Sequence, residues 1–244
     1  PASSALPVLH EHRANPTHAV HTAAIGTTDA ANHQYDSDDF FTALNADTLP
    51  SVVFLKAPGY QDGHAGYSDP IDEQTFIVDT INTIEQSKEW DSTAIVIAYD
   101  DSDGWYDHQM SPIVNQSATA MDALNGTGKC GNGDLALPGV NPATTHAQGR
   151  CGFGPRLPFL VISPYAKANF VDHSVTNQAS VITFVEDNWL ASERLGAGSF
   201  DASSNSITNM LDFTHKVGQN KVVYLDPGTG DVVKKKPAKV IVTP

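Results

Sequence analysis

Apolar positions follow no sustained period over the first fifty residues, which are rich in His, Ala, Thr and Asn. That stretch reads as loop, with one short helix around Asp39-Phe40-Phe41-Thr42-Ala43-Leu44. The pattern sharpens at Ser51-Val52-Val53-Phe54-Leu55, a β-branched and aromatic run between Pro50 and Pro58 that predicts a buried strand. A polar, glycine-rich loop follows, Gly59-Tyr60-Gln61-Asp62-Gly63-His64-Ala65-Gly66-Tyr67-Ser68. Asp69-Pro70 then supplies a helix cap and a first-turn proline. The helix beyond them is expected to place Ile77, Ile81 and Ile84 on one face and to end near Trp90.

The clearest apolar run is Ala94-Ile95-Val96-Ile97-Ala98-Tyr99, and its continuity predicts a strand buried on both faces, as in a parallel sheet covered by helices. It leads straight into Asp100-Asp101-Ser102-Asp103-Gly104-Trp105-Tyr106-Asp107-His108. After a long irregular stretch, Pro158-Phe159-Leu160-Val161-Ile162-Ser163 predicts a third strand. A helix from about residue 178 to 190 carries Val181, Ile182, Phe184, Val185 and Trp189 as its core face. Near the end, Lys221-Val222-Val223-Tyr224-Leu225 and Asp231-Val232-Val233 flank a Pro-Gly turn and predict a hairpin. The expected organisation is a loop segment over 1–50, an α/β core over 51–215 and a hairpin with tail over 216–244. In such α/β folds the working residues sit on loops beyond the carboxyl ends of strands. That rule brings the loops around His64 and Asp100 into one neighbourhood.

Charge narrows the partners. With 28 acidic against 14 basic residues the chain carries a formal charge of -14, which excludes a basic nucleic-acid surface. A phosphate-containing substrate stays open, because a bound cation reverses the local field. No run of about 18 apolar residues spans a membrane. The chain opens on Pro1 with no signal-peptide pattern, so it is expected to be a processed chain or a fragment. Cys130 and Cys151 enclose twenty residues rich in Gly, Pro, Asn and Thr. A disulfide closing that loop would stabilise it by about 3 kcal/mol and would imply a periplasmic or secreted protein, buried free thiols being the alternative.

Two adjacent carboxylates at a strand end repel each other and are costly to desolvate unless a cation neutralises them. Asp100 and Asp101 are therefore candidate ligands of one divalent metal ion, hard oxygen donors suiting Mg, Ca or Mn and satisfying Zn. The alternative reading is a solvated acidic turn before Gly104. An EF-hand is excluded on register, since Gly104 at position six would put Tyr99 at position one. His64, between Gly63 and Ala65, is placed where it can donate a proton to a leaving oxygen or hold a phosphoryl oxygen, against the alternative of an exposed loop histidine. Asp103, Asp107 and His108 are weaker candidates, for substrate contact or for orienting a metal ligand from behind. Arg156, in Gly152-Phe153-Gly154-Pro155-Arg156, reads as a clamp on the carbonyls of that turn in preference to an anion ligand.

Three segments together resemble the bacterial phosphoesterase family, which contains the acid phosphatases and the non-specific phospholipases C. The segment from Ile95 to His108 is similar to its strand-then-acidic-pair motif, that from Gly152 to Pro164 to its second signature, and Gln61-Asp62-Gly63-His64 with Ser68-Asp69-Pro70 to a third, all in the family's order. The resemblance is nearer the acid-phosphatase branch. It implies a three-layer α/β/α, alkaline-phosphatase-like, mostly parallel sheet, and hydrolysis of phosphate esters, monoesters before diesters. It carries over Asp100 and Asp101 as ligands of one catalytic metal ion, the family's usual second residue being Glu, and His64 as the histidine facing the leaving group. By the family pattern a Ser or Thr nucleophile attacks phosphorus and water releases the phosphoenzyme. Neither the family's Asn-bearing acidic motif nor its hydroxyl nucleophile has a counterpart here, since Ser68 and Ser102 stand at other places in the pattern. The chain is thus expected to be the carboxy-terminal half of such a domain, inactive alone and completed by an amino-terminal fragment. A non-catalytic metal-binding or interaction domain that retains the fold is the competing expectation.

Overall fold

In a computed structural model the described residues are 35–102, 104–113, 126, 152–196, 199–214 and 222–241. The chain divides into two compact units, Pro1–Ala94 with Gly218–Pro244, and Ile95–Val217.

The first unit is built on two helices. Helix α1 spans Ser37–Asn45, and Asp39 accepts the backbone N–H of Asp36 at 3.1 Å across its first turn. Asp38 and Asp39 also complement the positive end of the helix dipole. The helix buries Phe41, Ala43 and Leu44. Helix α2 spans Pro70–Ile84 and begins as its sequence predicts: Asp69 Oδ1 accepts the N–H of Ile71 at 2.8 Å, with Pro70 in the first turn. It stops short of Trp90. Ser87 donates both its N–H and its hydroxyl to the Ile84 carbonyl, at 2.9 and 2.7 Å, and this local competition ends the helix. Trp90–Ser92 then forms a separate 3-10 turn with Trp90 buried.

The face of α2 is less apolar than its isoleucines suggest. Val78 and Ile84 are buried, Ile77 and Ile81 only half-buried, and Asn82 and Thr83 are buried beside them. The polar pair holds the carboxy-terminal segment. Asn82 donates to the Leu225 carbonyl at 2.8 Å and accepts the Leu225 N–H at 3.2 Å. Thr83 Oγ1 accepts the Val240 N–H at 3.0 Å, and Gln74 donates to the Pro227 carbonyl at 3.0 Å. Within that segment the expected hairpin is reduced to one antiparallel bridge, Leu225 to Val232. The turn is tied by Asp226 Oδ1, which accepts the N–H groups of Gly228 and Thr229 at 2.9 Å each.

The strand expected at residues 51–55 does not form. These residues are irregular, and Phe54 is 73% exposed. A β-prone run becomes a strand only by pairing with another, and no described residue in this unit pairs with it.

In the second unit, β1 (Ile95–Ala98) and β2 (Phe159–Ile162) lie within a residue or two of their expected bounds. They pair antiparallel, Ile95 opposite Ile162 and Ala98 opposite Phe159. The expectation of a parallel, doubly covered sheet is thus corrected among the described residues: both strands are half-buried, with Leu160 exposed. A continuous apolar run signals a strand but not its direction or its cover. Helix α3, Ala179–Trp189, packs against 3-10 turns at Phe200–Ser203 and Ile207–Met210. Its buried stripe is Ser180, Thr183 and Glu186, while Val181, Ile182, Phe184 and Val185 are half-buried and Trp189 is exposed. The expected apolar core face is thereby corrected. The neighbouring turns present backbone and carboxylate, and the Thr183 hydroxyl donates to the Asp201 carbonyl at 3.1 Å.

Candidate functional site

The candidate residues fall in both units, His64 in the first and Asp100, Asp101, Asp107 and His108 in the second. Asp103, Cys130 and Cys151 lie outside the described residues.

His64 sits in a loop knotted by its own side chains. Asp62 Oδ1 accepts the His64 N–H at 3.1 Å, and Asp62 Oδ2 accepts the Tyr67 hydroxyl at 3.2 Å. The His64 carbonyl accepts the N–H groups of Tyr67 and Ser68 at 3.2 and 2.9 Å. Gly63 has φ +82°, a conformation that favours glycine, and a Cβ there would have to push aside the Glu73 carboxylate of α2. The His64 ring is exposed and stacked on Tyr67, centroids 4.2 Å apart. Its Nδ1 accepts the Gly66 N–H at 3.0 Å. In the neutral ring the proton is then on Nε2, which makes Nε2 the donor for an oxygen ligand. Tyr67 is a residue that sequence reasoning missed, although its spacing of three from His64 in a tight loop was visible.

Asp100 and Asp101 lie one residue beyond β1, after Tyr99, and are exposed. Gln178, at the start of α3, donates to the Asp100 carbonyl at 2.7 Å and to the Tyr99 carbonyl at 3.4 Å. No local signal could have announced Gln178, which stands 78 residues from Asp100. The chain turns at Ser102, whose carbonyl accepts the Trp105 N–H at 2.9 Å, with Gly104 at φ +79°. Asp107 meets Arg156 in a bidentate pair, Nε to Oδ2 at 2.6 Å and Nη2 to Oδ1 at 2.7 Å. The Arg156 backbone N–H adds a third bond to Oδ2 at 3.0 Å, and the Gln109 N–H a fourth to Oδ1 at 2.9 Å. The guanidinium, followed by these two N–H groups, holds the Asp107 carboxyl far below the usual carboxylate range. Arg156 thus clamps a carboxylate rather than the carbonyls of its own turn. His108 is exposed, its ring set edgewise against Tyr106 at 5.1 Å.

An open groove of about 340 Å³ runs past this loop, lined among others by Ser102, Trp105, Tyr106, Asp107, Gly154 and Pro155. Trp105 and Tyr106 are more than three-quarters exposed there, at 77% and 79%. Asp100 and Asp101 provide adjacent hard oxygen donors of the class that divalent cations take. Among the described residues no three Asp, Glu, His or Cys side chains gather to hold a metal ion.

A model of the phosphoesterase family matches residues 9–191, a span that includes the His64 and Asp100 loops and the segment of Arg156. The chain is 30% identical over 142 residues to a non-hemolytic phospholipase C of Burkholderia pseudomallei, covering 57% of this chain and 19% of that protein. It is also 30% identical over 156 residues to a non-hemolytic phospholipase C of Pseudomonas aeruginosa, covering 59% of this chain and 20% of that protein. Phospholipase C A of Mycobacterium tuberculosis is 25% identical over 131 residues, or 53% of this chain and 23% of that protein. The matched stretch spans about a fifth of the length of these relatives.

Proposed function

The chain belongs to the phosphoesterase family, and from that premise we propose that it supplies part of the active site of a hydrolase acting on phosphate esters. The observation that carries this reading is the family match across both candidate loops, with Asp100 and Asp101 delivered at the end of β1. In this reading Asp100 and Asp101 hold one divalent metal ion, and His64 faces the leaving group. A bound cation would act as a Lewis acid on a phosphoryl oxygen. His64 would donate a hydrogen bond from Nε2 to the leaving oxygen, its ring oriented by the Gly66 N–H and by the Tyr67 stack. The remaining metal ligands and the hydroxyl nucleophile would come from an amino-terminal segment, within the alkaline-phosphatase-like α/β fold that the resemblance implies. No described helix is long and apolar enough to cross a membrane, and export to the periplasm or medium belongs to the same proposal.

Phosphomonoesters are the substrates favoured by the acid-phosphatase resemblance of the sequence motifs. The diester reading has its own support, since the relatives above are named phospholipases C. The two separate by assay of p-nitrophenyl phosphate against p-nitrophenyl phosphorylcholine, with the full-length protein and with a chelator control. Hydrolysis that the chelator removes, and that Asp101→Ala lowers by at least about a hundredfold, is the expected result. Hydrolysis of neither ester would overturn the enzyme reading in favour of a non-catalytic domain. Activity unchanged in Asp101→Ala would remove Asp101 from the site.

A further inference from the structure

The antiparallel register of the two strands has a consequence for the acidic loop. Because Ala98 stands opposite Phe159, the residues leaving β1 and those entering β2 lie at the same end of the pair. Arg156, three positions before Phe159, thereby reaches Asp107, 49 residues earlier in the chain. The loop between is held at both ends. Gln178 fixes its start through the Asp100 carbonyl, and Arg156 fixes its end through three bonds to the Asp107 carboxylate. Arg156 gives both Nε and Nη2 to that carboxylate. The Asp107 side chain is 12% exposed, whereas Asp100 and Asp101 are open to solvent.

We propose that Asp107 and Arg156 are a positioning pair that fixes the loop bearing Asp100 and Asp101, and so sets where those two carboxylates stand for catalysis. The pair acts through the loop and touches no reacting atom. This rests on the functional reading of Asp100 and Asp101 given above. A planar guanidinium matches a carboxylate in two parallel bonds, and an ammonium does not, so lysine at 156 is a poor substitute.

The test uses the full-length protein and four variants: Arg156→Ala, Arg156→Lys, Asp107→Asn and the exchange D107R/R156D. Three quantities are read well below the melting temperature. They are Mn²⁺ affinity, kcat and KM for p-nitrophenyl phosphate, and amide hydrogen exchange of residues 104–109 without metal. Arg156→Ala is expected to weaken Mn²⁺ binding by roughly 10–100-fold, as loss of a group that orients ligands does. It should also speed exchange in the loop and lower kcat more than it changes KM. Arg156→Lys and the isosteric Asp107→Asn should fold and show the same losses in milder form, and the exchange variant should regain most of the Mn²⁺ affinity. Wild-type Mn²⁺ affinity and loop exchange in Arg156→Ala and Asp107→Asn would overturn the proposal while leaving the phosphoesterase reading intact. A wild-type protein that binds no Mn²⁺ and hydrolyses neither p-nitrophenyl phosphate nor p-nitrophenyl phosphorylcholine would overturn both.

Discussion

In the unit formed by Pro1–Ala94 and Gly218–Pro244, the apolar side chains of Phe41, Leu44, Val78, Ile84 and Trp90 are buried, and neutral amides and hydroxyls fasten the backbone. Gln74, Asn82 and Thr83 together hold Leu225, Pro227 and Val240. In the unit formed by Ile95–Val217, the buried apolar side chains among the described residues are Pro164, Ile207 and Leu211, and ion pairs join the neutral bonds of Gln178 and Thr183 in the fastening. Arg156 grips Asp107, while Arg194 bonds Glu186 at 3.3 Å and Asp187 at 2.7 Å. Asp201, also buried, takes the Leu195 N–H at 2.9 Å. Neutral bonds between buried groups are insensitive to salt and acidity, whereas ion pairs respond to both. The loop that bears the candidate acidic pair is thus fastened at Asp107 by an ion pair that salt and acid weaken.

The largest expected effect is on the neutral fastening. Asn82→Ala leaves the Leu225 N–H and carbonyl without their buried partner, at a cost of about 3 kcal/mol. Urea denaturation measures it, and hydrogen exchange should show residues 222–241 loosened before α1. A loss under about 0.5 kcal/mol would mean that the segment is held by apolar contacts instead.

The next effect concerns Glu85, an acid that burial leaves in a neutral setting. Burial pushes Glu85 up to about 7, and its Oε2 has no hydrogen-bond partner among the described residues. The folded chain keeps a proton there that the unfolded chain releases, so stability is full below the ordinary 4.5, falls as pH rises toward 7 and is flat above. Glu85→Gln removes this slope and should raise stability at pH 8 by about 2 kcal/mol, read from melts across pH. A Glu85→Gln protein with the wild-type slope would reject the assignment.

The smallest effect sharpens the comparison from the charged side. Burial, then Asp201, raises the Glu186 carboxyl, and Arg194 lowers it. Arg194→Ala should therefore lower the melting temperature, and lower it further as pH rises above the carboxylate range, because the folded state then holds a proton that alkali removes. High salt should narrow the gap between wild type and Arg194→Ala but leave the Asn82→Ala deficit unchanged. Equal salt sensitivity in the two variants would erase the distinction between the units.

Local chemistry made much of the chain legible. Asp69 and Pro70 announce the start of α2 because a cap and a first-turn proline act within one turn, and the apolar runs of β1 and β2 mark the strands closely. What escaped depends on partners distant in sequence. Residues 51–55 have strand propensity and no strand, since pairing is not encoded in the run itself. The buried polar stripe of α3 is illegible without the turns it faces, and Asp107 with Arg156 becomes a pair only once the strands are known to be antiparallel. Asp100 and Asp101 stand out in the sequence as adjacent carboxylates after an apolar run, whereas the bonds of Gln178 and Arg156 to their loop do not.

Helix α2 and the segment it grips lie 143 to 157 residues apart in the chain. A ribosome makes α2 before its partner segment, with the whole of Ile95–Val217 between. At about 5–20 residues per second, Asn82 and Thr83 stand solvated for roughly 7 to 28 s before Leu225 is even synthesised. The contiguous unit can complete itself within that interval. Translation therefore can finish first the unit that begins second, and α2 is sealed only after that unit has emerged.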